Sequence, residues 1–486
     1  MSVRKELLQK FGLIGFANLV FSLNSIILLP VLTKNLSILE YGIWAQVVVT
    51  VGFAPLLLMF GLQYSMARFI QSVDSKKDIQ EIFYSVLSFV AIISLLASIC
   101  VYIGADIISF LLFDGEVAIA QLLSVIIFTE SINAVLIHFF RSIQETKKYT
   151  IFLLMQTLIH IFLTSTLVLL GQGIYGATFA IIIKGILMFI VMFYFVIKKI
   201  GFKLPKFKFL REHIAFGLPT MPSELSTGIV SSSDRVIISY LLGPIFVGYY
   251  APAYTLGNNI MFGLIAPISL ILPPFLAKLY DGKDIVNVKN IIENTLKYFL
   301  FIGIPAVFGL SILSKPILEL LTTNEIASEG YFILSITAIS TLLFGVSTII
   351  NQIFILKKKT QIIGKIWLTS AILKVTLNFF IIPHIGIIGA AFVTLIVFMF
   401  SLTFSMYYCL KLIRLKMDYI FISKGILASV LMALPILIVH PIGFIEMSMW
   451  IVISIFLYIS IMLCFHAFKK EEVEYLRNKI SSTLNR

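Results

Sequence analysis

Glu224, Gly228, Ser231 and Arg235 fall at relative positions 0, 4, 7 and 11. At about 100° per residue, that spacing places all four on one face of a helix. They sit in residues 216–250, a stretch otherwise apolar enough to cross a bilayer. A charge at the centre of a membrane helix costs about 2.5–3.5 kcal/mol on insertion scales, so such a group lines a cavity or meets a partner. Glu224 and Arg235 would lie about 16 Å apart along the helix, and Asp234 about 80° off their face. Ser223, Ser226, Thr227, Ser232 and Ser233 add hydroxyls, and Pro219 and Pro222 should bend the first half of the helix. Two readings stand open. One is a local Asp–Arg and Ser network that staples helices together. The other is a cavity face that meets a polar substrate or a coupling ion.

Four more ionisable residues lie inside apolar runs: Glu130, Lys184, Lys365 and Lys374. Lys365 is close enough to a span end to snorkel, whereas Lys184 and Lys374 fall near mid-span. Lys374 and Asn378 share a face at i,i+4. Glu130 with Lys184, and Glu224 with Lys374, could pair within their own halves of the chain. Cations facing a central cavity would instead attract an anionic substrate, phosphate above all. Carboxylates in such a cavity titrate at shifted values and can couple proton or cation movement. The candidate substrate-binding cations are therefore Lys184, Arg235, Lys374 and Lys365. The candidate coupling carboxylates are Glu130, Glu224 and Asp234. Asn258-Asn259, Asn351-Gln352, Asn18 and Asn24 read first as helix–helix hydrogen bonds.

Other chemistry is poorly represented. His138, His160, His384 and His440 are scattered and form no metal pair. Cys100, Cys409 and Cys464 lie in apolar runs with no CxxC spacing and read as buried packing residues. No P-loop is present, so ATP is not the direct fuel. The chain reads as a non-enzyme without cofactor or metal.

The elements that must position these residues are membrane helices. Of 486 residues, 59% are hydrophobic and 13% charged, about half the charge of a soluble chain. Apolar runs of about twenty residues fit helices that span a bilayer, not the alternating strands of a barrel. The expected fold class is an all-α polytopic membrane protein with about fourteen spans, near 11–33, 41–64, 82–104, 117–140, 149–170, 174–197, 213–241, 246–272, 292–313, 330–355, 360–382, 386–410, 418–440 and 444–467. The first run follows Arg4, Lys5 and Lys10 and is read as a helix, being too long for a signal peptide. Most of the basic residues fall at alternate loops, whereas the opposite ends hold only Lys34 and Lys315 among several acids. Both termini are thereby expected in the cytoplasm. The net charge of +13 is mostly this topology signal and suits anionic headgroups, not nucleic acid.

The chain also repeats itself. Phe11-Gly12-Leu13 returns as Phe216-Gly217-Leu218, and Tyr41-Gly42-Ile43 as Val247-Gly248-Tyr249. Gly173-Ile-Tyr-Gly-Ala177 returns as Gly386-Ile-Ile-Gly-Ala390, each after a helix preceded by a lysine run. Six helices separate the copies, so the repeats run parallel about an axis along the membrane normal. The expected division is a lobe at 1–200, a linker at 201–212, a second lobe at 213–412, and two added helices with a tail at 413–486.

With Phe216-Gly217-Leu218-Pro219, Ser233-Asp234-Arg235, Leu242-Gly243, Val247-Gly248-Tyr249-Tyr250, Glu40-Tyr41-Gly42 and the two Gly-x-x-Gly-Ala elements, the chain resembles the bacterial polysaccharide-biosynthesis (O-antigen) flippases. These belong to the multidrug/oligosaccharidyl-lipid/polysaccharide exporter superfamily. The resemblance implies two six-helix lobes in a V, plus two helices, around a cavity that opens to each side in turn. It implies an undecaprenyl-diphosphate-linked oligosaccharide as cargo, moved across the cytoplasmic membrane by alternating access. Membrane lipids, a polysaccharide polymerase and other assembly proteins are the expected partners. Lys184 and Lys374 rest on burial, not on the resemblance.

Three rivals remain. A cation-coupled drug exporter of the same fold should have an acidic cavity, whereas four embedded bases here face three acids. A membrane glycosyltransferase, polymerase or ligase needs a larger outer loop than residues 314–329. A lipid II or teichoic-type flippase differs only in cargo.

Overall fold

The computed structural model describes residues 24–439, 441 and 443–468. The Phe11-Gly12-Leu13 element, Asn18, His440 and the tail from residue 469 lie outside them. Among the described residues every element is helical. The first group is α1 (24–35), α2 (Ile38–Leu58), α3 (Leu62–Ile70), α4 (Lys76–Ile103), α5 (Ala105–Leu112), α6 (Val117–Ser142), α7 (Thr146–Leu167) and α8 (Gly173–Ile200). The second begins with the short α9 (Leu210–Gly217) and continues with α10 (Met221–Leu242), α11 (Pro244–Asp281), α12 (Ile285–Ile312), α13 (Ser314–Leu321), α14 (Asn324–Leu356), α15 (Thr360–Ile385) and α16 (Ile387–Leu412). Helices α17 (Tyr419–Val439) and α18 (Phe444–Cys464) follow.

Eleven helical stretches among the described residues are long and apolar enough to cross a membrane. One of them, Thr146–Ile200, contains both α7 and α8. Helix α10 is long enough, but Glu224, Asp234 and Arg235 spoil its apolar window. The chain is thus a multi-pass membrane protein.

Packing follows the two groups. Helices α4, α6, α7 and α8 lie against one another, as do α11, α12, α14, α15 and α16. Helix α2 bridges them, packing on α10 and α11. Helix α17 docks on α12, and α18 on α17.

The sequence repeat is visible as geometry. Gly173 and Gly386 occupy the same turn in their copies, and both hold a positive φ, 55° and 71°, with ψ near −150°. Only glycine enters that region cheaply, so both hairpins, α7–α8 and α15–α16, turn on a glycine. The short helices α5 and α13 also correspond. Residues 314–329, expected as a loop, are α13 and the start of α14, the latter capped by Thr323, whose hydroxyl accepts the Ile326 N–H. The expected single span at 213–241 is divided: α9 ends at Gly217, a 3₁₀ turn covers Leu218–Thr220, and α10 starts at Met221. Pro219 lies in that break. Cys409 is buried as expected, but Cys100 and Cys464 lie on outer helix surfaces, where an apolar thiol needs no protein packing in a membrane.

The glycine turn can be tested. Gly386→Ala should cost about 1–3 kcal/mol and lower the temperature at which purified protein stays monodisperse. Gly364→Ala, inside α15 with open space beside it, should leave that temperature unchanged.

Candidate functional site

The neighbours Asp234 and Arg235, about 100° apart around α10, meet different surroundings. Asp234 turns into the second group and is 1% exposed. Its Oδ2 lies 2.8 Å from the Lys374 ammonium on α15, itself 0% exposed. The same oxygen accepts the Tyr250 hydroxyl at 3.0 Å and the Thr394 hydroxyl at 3.1 Å. Oδ1 accepts Asn378 Nδ2 at 2.7 Å. Lys374 donates further to the Val230 carbonyl and to Thr394 Oγ1. Four helices, α10, α11, α15 and α16, meet at this one ion pair, and the hydrogen bonds around it offset the cost of desolvating both charges.

Arg235 meets other neighbours. Its guanidinium lies over the Tyr254 ring, 5.0 Å from the centroid, and Nη2 reaches Thr255 Oγ1 at 3.5 Å. Its Nε is buried without a hydrogen-bond partner, and no carboxylate comes within 4 Å of it among the described residues. It lines a cavity of about 190 Å³ together with Ser25 of α1, Tyr41 and Trp44 of α2, and Thr255, Asn258 and Asn259 of α11. The cavity therefore lies between the two groups. Its volume is below the ~300–1,000 Å³ of ordinary ligand pockets, so in this arrangement it has room only for a small group.

Both ends of this inter-group seam are closed by contacts. At the end holding Lys34 and Lys315, α2 crosses α11. A Cβ on Gly42 would overlap the Pro244 carbonyl oxygen, and one on Gly248 would overlap the carbonyl oxygen of Ile38. These contacts are reciprocal, since Gly42 and Gly248 are equivalent in the repeat, as are Ile38 and Pro244. Small residues let backbones approach this closely. Glu40 acts locally here, completing a capping box with Ser37 at the start of α2. Lys34 donates to the Leu320 carbonyl at 2.9 Å across the same seam.

At the other, lysine-rich end, Gly61 and Gly217 touch backbone to backbone. Glu224 spans the seam there, accepting Gln63 Nε2 at 2.6 Å and the Tyr64 hydroxyl. Ser65 meets His213 at 2.6 Å, and Arg68 lies 4.7 Å from the Phe216 ring centroid.

The remaining candidates fall elsewhere. Lys184 and Glu130 pair at 2.8 Å within the first group, each slightly exposed. Lys365 is exposed near the start of α15 and does not line the cavity. The Glu224–Lys374 pairing allowed by the sequence does not form. The two carboxylates of α10 are ten residues apart, about 15 Å of helix, and it is Asp234 that faces α15. Lys374 is accordingly sealed within the second group, away from the cavity. Among the described residues no group of three His, Cys, Asp or Glu could hold a metal ion.

Sequence reasoning missed Gln63 and Tyr64, which fell at the end of the expected span 41–64 but belong to a separate short helix, α3, that starts after Gly61. It read Asn258 and Asn259 as helix–helix bonds. Asn258 does bond to Thr341 Oγ1 at 3.3 Å, yet both asparagines also line the cavity. Two adjacent amides in an apolar run were the available signal.

The helix order and the cavity between two repeated groups define an all-α membrane fold of the kind seen in MurJ and MATE proteins. The solved structure of lipid II flippase MurJ in an inward closed conformation aligns with a TM-score of 0.76 and 19% identity, covering 94% of this chain and 99% of that one. An inward-facing multidrug resistance MATE family transporter of the MOP superfamily aligns with a TM-score of 0.68 and 14% identity, covering 82% and 95%. The chain belongs to the polysaccharide biosynthesis protein family, whose model matches residues 31–329. Two curated proteins are similar over part of their length. The probable lipid II flippase MurJ of Rickettsia prowazekii (strain Madrid E) is 27% identical over 240 residues, 45% of each chain. The probable low-salt glycan biosynthesis flippase Agl15 of Haloferax volcanii is 25% identical over 200 residues, 41% of this chain and 42% of that one. The chain thus spans less than half the length of either curated relative.

The Asp234–Lys374 pair yields a test of its structural weight. Lys374→Ala leaves a carboxylate uncompensated in the interior and should cost about 3–5 kcal/mol, read as loss of folded protein on gel filtration. The double variant D234N/K374M removes both charges and should recover most of that loss.

Proposed function

We propose that this protein moves a lipid-linked oligosaccharide across the cytoplasmic membrane, both termini on the cytoplasmic side, by exposing the inter-group cavity to each face in turn. The favoured cargo is an undecaprenyl-diphosphate-linked repeat unit of a surface polysaccharide. The observation that carries this reading is Arg235, a cation with no carboxylate neighbour among the described residues, set in a cavity lined by both groups. A guanidinium there matches the diphosphate that joins sugar to lipid. The cavity's serine, threonine and asparagine groups suit sugar hydroxyls, and Trp44 and Tyr41 offer aromatic faces. The lipid tail would remain in the bilayer, in a gap between the groups.

On this reading the seam contacts are gates. Glu224 latches the cytoplasmic end to Gln63 and Tyr64, and a change in its charge would bias that gate, which makes it the preferred coupling carboxylate. Asp234 with Lys374, and Glu130 with Lys184, hold the helices of their own groups in register. Lys365 would meet the cargo only during entry.

A lipid II cargo is the second reading, favoured by the likeness to the two MurJ proteins. A drug exporter is disfavoured because the charge left facing the cavity is positive and would repel cationic drugs.

Deleting the gene should abolish a surface glycan and make its lipid-linked unit accumulate inside the cell. Arrested peptidoglycan synthesis with a normal glycan would select lipid II instead. Unchanged glycan with new sensitivity to cationic drugs would overturn the flippase reading.

For the site, Arg235→Ala should lower export of the lipid-linked unit at least tenfold at normal protein level, about 1.4 kcal/mol or more. Arg235→Lys should retain part of it. Normal export by Arg235→Ala would remove the cavity cation from the mechanism.

A further inference from the structure

Between α8 and α9 the chain reads Gly201-Phe-Lys-Leu-Pro-Lys-Phe-Lys-Phe209 and follows no helix before Leu210. Its backbone is nevertheless fixed. Glu81 of α4, 5% exposed, accepts the main-chain N–H of Lys206 at 2.8 Å and of Lys208 at 3.3 Å. The Tyr84 hydroxyl donates to the Gly201 carbonyl at 2.6 Å. A buried carboxylate is thus committed to holding main chain, and the side chains of the segment are turned outward. Phe202 is 63% exposed, Leu204 76% and Phe207 43%.

Such exposure would be a liability in water. Here the segment runs along the lysine-rich end of a membrane protein, and cations alternate with the apolar side chains. From residue 198 to 211 there are six cations and no carboxylate. Lys199 is engaged by Glu145 at 2.7 Å and Lys203 stands 3.8 Å from Glu81. Lys206, Lys208 and Arg211 are exposed, with no carboxylate within 4 Å among the described residues. Apolar side chains that enter the acyl boundary while ammonium groups stay at headgroup level is the arrangement of an interfacial segment.

We propose that residues 201–211 form a strap that docks on anionic phospholipid headgroups of the leaflet at the lysine-rich end. The charge selects this occupant, because an unbroken run of cations gains from anionic lipid and gains nothing from a neutral one. The strap leads directly into α9, whose His213 and Phe216 pack on α3 where the seam closes. Lipid engagement therefore bears on the contact that opens and shuts that end. This inference stands apart from the identity of the cargo.

The test uses the full chain in vesicles and a Leu204→Trp variant, its emission taken as the difference from the unchanged protein. Bilayers of phosphatidylcholine and phosphatidylglycerol carry bromine near the headgroup end of the acyl chains, on one lipid or the other at equal bromolipid content. Brominated phosphatidylglycerol should quench the new tryptophan at least about threefold more than brominated phosphatidylcholine. K206Q/K208Q/R211Q should erase that preference while quenching persists. Equal quenching by the two lipids in the Leu204→Trp protein would overturn the anionic docking. Quenching by acrylamide but by neither bromolipid would place the strap in water or against a soluble partner and overturn the proposal.

Discussion

The arrangement of the cavity depends on what neutralises Asp234. An aspartate and an arginine adjacent in one helix diverge by about 100° and do not face each other, so each needs its own partner. Lys374 holds the carboxylate in the second group, where Tyr250, Asn378 and Thr394 complete its hydrogen bonds. Arg235 is then left with an aromatic face and a threonine hydroxyl as its neighbours. The ion pair is fully buried and contacts no cargo-sized space, yet it decides the sign of the charge that does. It also fixes the rotation of α10, since turning that helix to hide Arg235 would pull Asp234 from its lysine.

The same helix carries charge at two depths. Glu224 bonds to α3 near the lysine-rich end, and Arg235 lies toward the other end, beneath the crossing of α2 and α11. Between them Gly228 sits against Phe53 of α2, so helix contact, not polar lining, occupies the middle of the seam. The 190 Å³ cavity is bounded in this way by contacts between the groups at both ends. On the proposed function, opening would break close backbone contact at glycines at both ends, and at the lysine-rich end the hydrogen bonds to the Glu224 carboxylate as well. The two ends therefore need not respond to the same signal.

Much of the fold was legible in the chain. Span length, the alternation of lysine-rich loops and the duplicated glycine motifs each depend on local composition, and local composition survives without knowledge of packing. The site was legible only in part. Helical periodicity put Asp234 off the face shared by Glu224 and Arg235, and that separation is real. Which lysine answers Asp234 depended on how α15 is rotated against α10, a tertiary fact with no sequence period. The clasp of Gln63 and Tyr64 on Glu224 was hidden for a related reason: the left-handed Gly61 that starts their short helix lies inside one apolar run, and which residue of α10 they meet is again a matter of packing.

The reciprocal crossing of Gly42 and Gly248 bears on how the two halves of this chain have been free to diverge. Each glycine is accommodated by the carbonyl beside the other copy's counterpart, so neither half contains its own complement. A larger residue on one side could be relieved only by retreat of the opposite helix, not by repacking within its own half. Chimeras joining the first half of one relative to the second half of another should thus succeed or fail on this crossing before any question of cargo arises, and the duplicated halves are bound to change there in concert.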